Sequence, residues 1–221
     1  GIMAKEFADI CDPETLRYYF AAKLNDKVED IDLNFEDYVQ RVNSDLVGKY
    51  LNIASRCSSF IKKNDNNLST DIDQTILNTL TSRKDEILGF YESRNYSKVV
   101  RLIMELADQV NKYINDKTPW KKDIDEAVII SSTGLNAFNI LSIYLSPIIP
   151  NITKNAFNFL NSDNFLFSDI DKILLNKINK YDPLLNRIEP IKIPKENIMN
   201  DENNYININQ FTDIDLRVAK I

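Results

Sequence analysis

Histidine is missing from all 221 residues, and that one absence removes Ser-His-Asp and Cys-His catalysis, imidazole metal ligation and histidine proton shuttling together. Glycine is nearly as scarce. Four glycines leave no G-x-G-x-x-G or Walker loop, so no backbone phosphate cradle of those kinds can form and a nucleotide cofactor is not expected. The two cysteines, Cys11 and Cys57, form no C-x-x-C pair, which argues against a disulfide framework or thiolate metal site and for a reducing cytoplasm. Neither catalytic residues nor a metal site are expected in this chain. Gly1–Glu6 has no basic region leading into an apolar run, so no secretory leader is expected. Residues 127–153 carry no charge, yet Ser132, Asn136, Asn139, Ser142 and Ser146 recur at helical spacing, and Pro147 and Pro150 interrupt the segment. It reads as a buried amphipathic helix, with no membrane partner.

What is present points to helices. A hydrophobic content of 43% suffices for a sizeable core. Asp12-Pro13 reads as an N-cap and first helical residue, opening a helix through Leu24, and 26–32 is a connector. From Phe35 the apolar positions 35, 39, 42, 46, 50, 53, 57 and 60 keep close to the α-helical period, which predicts one long helix. Thr70-Asp71-Ile72-Asp73 resembles a capping box that starts a helix running through Ile76, Leu80, Ile87 and Tyr91. The next helix starts near Tyr96 and ends near Thr118-Pro119. Two more are expected over 122–146 and 150–161, with a shorter helical pattern over 169–181 before Pro183, Pro190 and Pro194. The expected fold is an all-α antiparallel helical bundle over 33–188. Residues 189–209 read as a linker. At the end, Ile214, Leu216 and Val218 alternate with Asp215, Arg217 and Ala219, as the first strand of a further domain would.

The formal charge of −6 argues against a nucleic-acid partner when taken as a whole, but the cations are not spread evenly. Residues 39–63 hold Arg41, Lys49, Arg56, Lys62 and Lys63 against Asp45 alone. Residues 94–122 hold seven cations against three anions. Such runs are most often solvated helix faces. These two segments, however, also carry Asn52 and Arg56, one helical turn apart, and Trp120, the only tryptophan. An Asn amide and an Arg guanidinium on one helix face, beside an indole, are the parts of a site that reads an unpaired base. A bare Asn–Arg pair is otherwise an ordinary surface pair, and a lone tryptophan in a bundle is most often core. Trp120 follows a proline at a helix boundary and is flanked by Lys117, Lys121 and Lys122, which favours exposure.

Leu16-Arg17-Tyr18-Tyr19-Phe20-Ala21-Ala22-Lys23-Leu24, Val39-Gln40-Arg41-Val42-Asn43, Asn52-Ile53-Ala54-Ser55-Arg56 and Pro119-Trp120 together resemble the helical anticodon-binding region of bacterial methionyl-tRNA synthetases. The resemblance runs along essentially the whole chain. It implies that Gly1–Asp32 is the tail of a connecting segment after a class I catalytic domain, and that 210–221 begins a tRNA-binding OB-type domain. It implies tRNA with the CAU methionine anticodon as partner, rather than DNA, read by Asn52, Arg56 and Trp120. Lys49, Lys117, Pro119 and Lys121 would supply phosphate or supporting contacts. The family's His-Ile-Gly-His and Lys-Met-Ser-Lys-Ser motifs do not occur here, so ATP use, and zinc where a relative carries it, belong by resemblance to the parent's catalytic part. The parent would be a cytoplasmic methionine–tRNA ligase, dimeric through its C-terminal domain, and this chain alone would not aminoacylate. A second reading is a helical protein-interaction scaffold without RNA binding, in which Trp120 would be core.

Overall fold

The computed structural model describes residues 11–25 and 34–190. Helix α1 (Pro13–Lys23) begins where the sequence requires, with the Asp12 carboxylate accepting the Glu14 amide at 2.8 Å and proline at the first helical position. Helix α2 (Phe35–Arg41) runs directly into a π-helical stretch, Val42–Leu51, and then into α3 (Asn52–Lys62). The rod is continuous as expected, but its winding is not uniform. Tyr38, Val42, Leu46 and Tyr50 are the fully buried residues of its first half, a step of four that suits wider winding. Phe35 and Val39 are only partly covered. From Ile53 onward, burial of Ile53, Ala54, Cys57 and Ile61 follows the ordinary α period.

The expected helix through Ile76 and Tyr91 is two helices, α4 (Gln74–Thr81) and α5 (Lys84–Glu92). The N-cap is Asp73, whose carboxylate accepts from the Thr75 amide at 3.0 Å, while Thr70 lies outside the helix. Helices α6 (Tyr96–Lys117), α7 (Ile124–Leu145) and α8 (Pro150–Leu160) follow, with a 3-10 turn, Pro119–Lys121, between the first two. The expected helix over 169–181 does not form. A 3-10 turn, Phe167–Asp169, leads into irregular chain that lies along the bundle. Its buried Ile170, Leu174 and Ile178 recur every four residues, as a helix would place them. They are held instead by Asn136, which donates to the Leu174 carbonyl at 3.2 Å and accepts its amide at 2.7 Å, and by Ile178 donating to Asn66.

Helix α7 is the centre, packed against α3, α4, α6 and α8. It is long and apolar enough to cross a membrane by composition, and 94% of its apolar window is buried among the other helices. Its polar stripe does not face solvent. Ser132 accepts from the Ser69 amide, Asn139 donates to the Asn164 carbonyl, and Ser142 meets the Tyr50 hydroxyl at 2.6 Å. These three buried side chains thereby tie an irregular segment or a neighbouring helix to the core helix. Gly134 lets α3 approach α7 closely, since a Cβ there would lie 2.6 Å from Cys57 Sγ. Among the described residues there is no strand, only an isolated antiparallel bridge between Asn67 and Lys177. Residues 191–221, which hold most of the expected linker and the expected OB-type strand, lie outside the described residues, as does the whole connector, 26–32.

Candidate nucleic-acid interface

Asn52 and Arg56 stand on the first turns of α3, immediately after the π-helical stretch ends. Both are half-buried and flank the seam formed by Ile53 and Cys57, as the i, i+4 spacing requires. Trp120 reaches the same place from a different element. Helix α6 stops because Pro119 disfavours α geometry at the residue before it. Thr118 turns left-handed at φ 48°, its amide donating to the Ile114 carbonyl. Pro119 is buried and anchors the 3-10 turn, whose Lys121 amide returns to the Thr118 carbonyl at 2.8 Å. Asp123 then caps α7 by accepting the Glu126 amide. The elbow between two long helices therefore presents the indole outward. Trp120 is 52% exposed, which removes the core reading.

Of the three residues, Arg56 links the other two. The Arg56 guanidinium carbon lies over the Trp120 ring, 5.7 Å from its centroid, a cation–π approach that leaves much of the ring accessible. Two residues that sequence reasoning did not single out complete the arrangement. Asn111 on α6 accepts from Asn52 Nδ2 and from Arg56, both at 3.2 Å, and donates to the Lys49 and Ala107 carbonyls, both at 3.0 Å. Asn115, one turn further on, accepts from Arg56 at 2.6 Å. The sequence signal for both is their α-helical spacing on the helix that ends at Pro119.

The supporting cations differ from one another. Lys49 is engaged by Asp108 at 2.7 Å, and Lys117 has Asp73 at 3.7 Å and the Tyr113 ring at 5.7 Å. Lys121 is exposed with no ion pair among the described residues. Beside Asn52 and Ser55 opens a groove of about 530 Å³, whose far wall is Tyr181, Pro183, Leu185 and Arg187. Burial pushes the Cys57 thiol beneath this face up to about 12, so the interface has no reactive thiolate at neutral pH. Among the described residues, no group of three or more His, Cys, Asp or Glu side chains is placed to hold a metal.

Two family models match the chain. Residues 1–58 match "tRNA synthetases class I (M)", and residues 73–210 match "Anticodon-binding domain of tRNA ligase". Asn52 and Arg56 fall in the first stretch and Trp120 in the second. The methionine–tRNA ligase of Psychrobacter cryohalolentis is 45% identical over 196 residues, covering 85% of this chain and 28% of that protein. The corresponding ligase of Psychrobacter arcticus is 44% identical, again over 85% of this chain and 28% of its own length. This chain thus spans little more than a quarter of the curated relatives it matches. In fold it is similar to the ligand-free methionyl-tRNA synthetase of Mycobacterium tuberculosis, with a TM-score of 0.77 at 18% identity over 86% of this chain and 42% of that one. The same enzyme bound by methionyl-adenylate gives 0.72 at 17% identity over 80% and 38%. The chain belongs to the anticodon-binding domain family of tRNA ligases, and within it to the group of the bacterial methionyl-tRNA synthetases.

Proposed function

We propose that this chain holds the anticodon loop of methionine tRNA, with the C of CAU read by Asn52 and Arg56 and an anticodon base stacked on Trp120. The observation that carries the proposal is that Arg56 lies over a half-exposed indole while sharing Asn111 with Asn52. Cytosine offers O2 and N3 as acceptors and its N4 amino group as a donor, so Arg56 donates to the former and the Asn52 carbonyl accepts from the latter. Uracil reverses the pattern at N3 and O4, leaving unpaired groups at a cost of about 1–3 kcal/mol. Stacking on Trp120 adds about 1–3 kcal/mol of affinity but is tolerant of base identity. Lys121 and Lys117 lie beside the indole in sequence and supply phosphate contacts.

In the whole ligase, a cytoplasmic enzyme that attaches methionine using ATP, anticodon binding serves catalysis by orienting the acceptor end toward a distant active site. The scaffold reading loses its main support with the exposure of Trp120. Because Trp120 is the only tryptophan, its fluorescence reports on this site alone. Titration with a CAU anticodon stem-loop should quench it, and the Trp120→Ala variant should lose affinity while melting as the parent does. Saturable binding without quenching would place the RNA elsewhere and end the stacking claim.

A further inference from the structure

We propose that Asn111 is a positioning residue that fixes which end of the Asn52 amide faces the base, and so sets the preference for cytosine over uracil. This rests on the base-reading role proposed above.

A side-chain amide carries a donor at one end and an acceptor at the other, and its shape alone does not distinguish them. Asn111 is denied that ambiguity by its surroundings. Its Nδ2 sits 3.0 Å from the carbonyl oxygens of both Lys49 and Ala107. Backbone carbonyls only accept, so the donor end of Asn111 must point there. Its Oδ1 then faces α3, where Arg56, which only donates, lies 3.2 Å away and demands the same orientation. The atom of Asn52 that meets this oxygen at 3.2 Å must be a donor, Nδ2. Asn52 Oδ1 is thereby left at the far end of the amide as an acceptor, with no hydrogen bond among the described residues.

A fixed polarity runs from two backbone carbonyls, through Asn111 and Asn52, to the base. An acceptor presented at that point suits the cytosine N4 amino group and opposes the uracil O4. Arg56 shares the same anchor, so one side chain on α6 holds both reading groups on α3. Without Asn111 the Asn52 amide is at liberty to turn over, and a turned amide donates to O4 as readily as the original accepts from N4.

The test is the ratio of dissociation constants for CAU and UAU anticodon stem-loops, measured on the full chain and its variants with thermal melting beside each. The parent should prefer CAU by roughly tenfold or more. Asn111→Leu, which has neither donor nor acceptor, should lower the ratio several-fold, leaving the share that Arg56, still held by Asn115, contributes at N3. Asn111→Asp keeps an acceptor toward Asn52 and Arg56 and should retain the preference, whatever it costs in stability through its lost donors. Should the leucine variant fail to fold, Asn111→Ala takes its place with the same expectation. An unchanged ratio in the folded leucine or alanine variant, or a ratio lost in the aspartate variant, would overturn the role of Asn111 while base reading stands. Equal binding of both stem-loops by the parent would overturn base reading, and this inference with it.

Discussion

Trp120 and Cys57 are the residues whose surroundings make the sharpest claims. A core tryptophan truncated to alanine costs about 3–5 kcal/mol. Trp120 has half its surface in solvent, so Trp120→Ala should shift urea denaturation by less than about 1 kcal/mol while lowering stem-loop affinity roughly 5- to 150-fold. Among the cations, Lys121 should matter most per charge. Lys121→Ala should flatten the log–log salt dependence of stem-loop binding by about 0.7, whereas Lys49→Ala should change it less because Asp108 already neutralises Lys49. Cys57 is raised by burial to about 12, well above an unfolded thiol near 8.5. The stability this represents is full below the unfolded value and is lost as pH rises through the folded one. A thiol reagent at neutral to mildly alkaline pH should therefore modify Cys11 in the native protein, and Cys57 only after unfolding. Asn52, Arg56 and Trp120 were legible as candidates from residue type and spacing. Asn111 was not, since its helical spacing with Asn115 ahead of Pro119 acquires a meaning only once a chain segment more than fifty residues away is folded against it.

At the scale of elements, capping chemistry and apolar period located most helix starts, because those signals act within a few residues. They failed where tertiary contacts set the outcome. The break between α4 and α5 falls at Ser82-Arg83, which holds neither glycine nor proline. The irregular 170–178 segment copies a helical burial pattern while its backbone bonds are spent on Asn136 and Asn66. Two element contacts are open to direct measurement. The buried Glu14 carboxylate accepts the Asn151 and Ile152 amides at 2.7 and 2.8 Å, tying α1 to the N-terminus of α8. Glu14→Ala should cost about 1.5–3 kcal/mol in denaturant unfolding, as loss of a charged hydrogen-bond acceptor does. Gly134→Ala should be destabilising by about 1–3 kcal/mol despite alanine's better helix propensity, because its Cβ meets the buried Cys57 sulfur. Adding Cys57→Ala should recover part of that loss, which a double-mutant cycle would show.

For the whole molecule, a net charge of −6 and an RNA partner are compatible because recognition is local. The bundle brings α3, carrying Asn52 and Arg56, against the α6–α7 elbow carrying Trp120, and the core helix α7 holds the two in register. Rigid elements on both sides suit a site that discriminates by hydrogen-bond polarity. The claim on which the rest depends is that this surface chooses its base. The direct measurement is competition between CAU and UAU anticodon stem-loops for the intact chain at fixed moderate salt. A preference for CAU of roughly tenfold or more, lost on Asn52→Ala or Arg56→Ala, is the predicted result; equal affinity for the two stem-loops would contradict it.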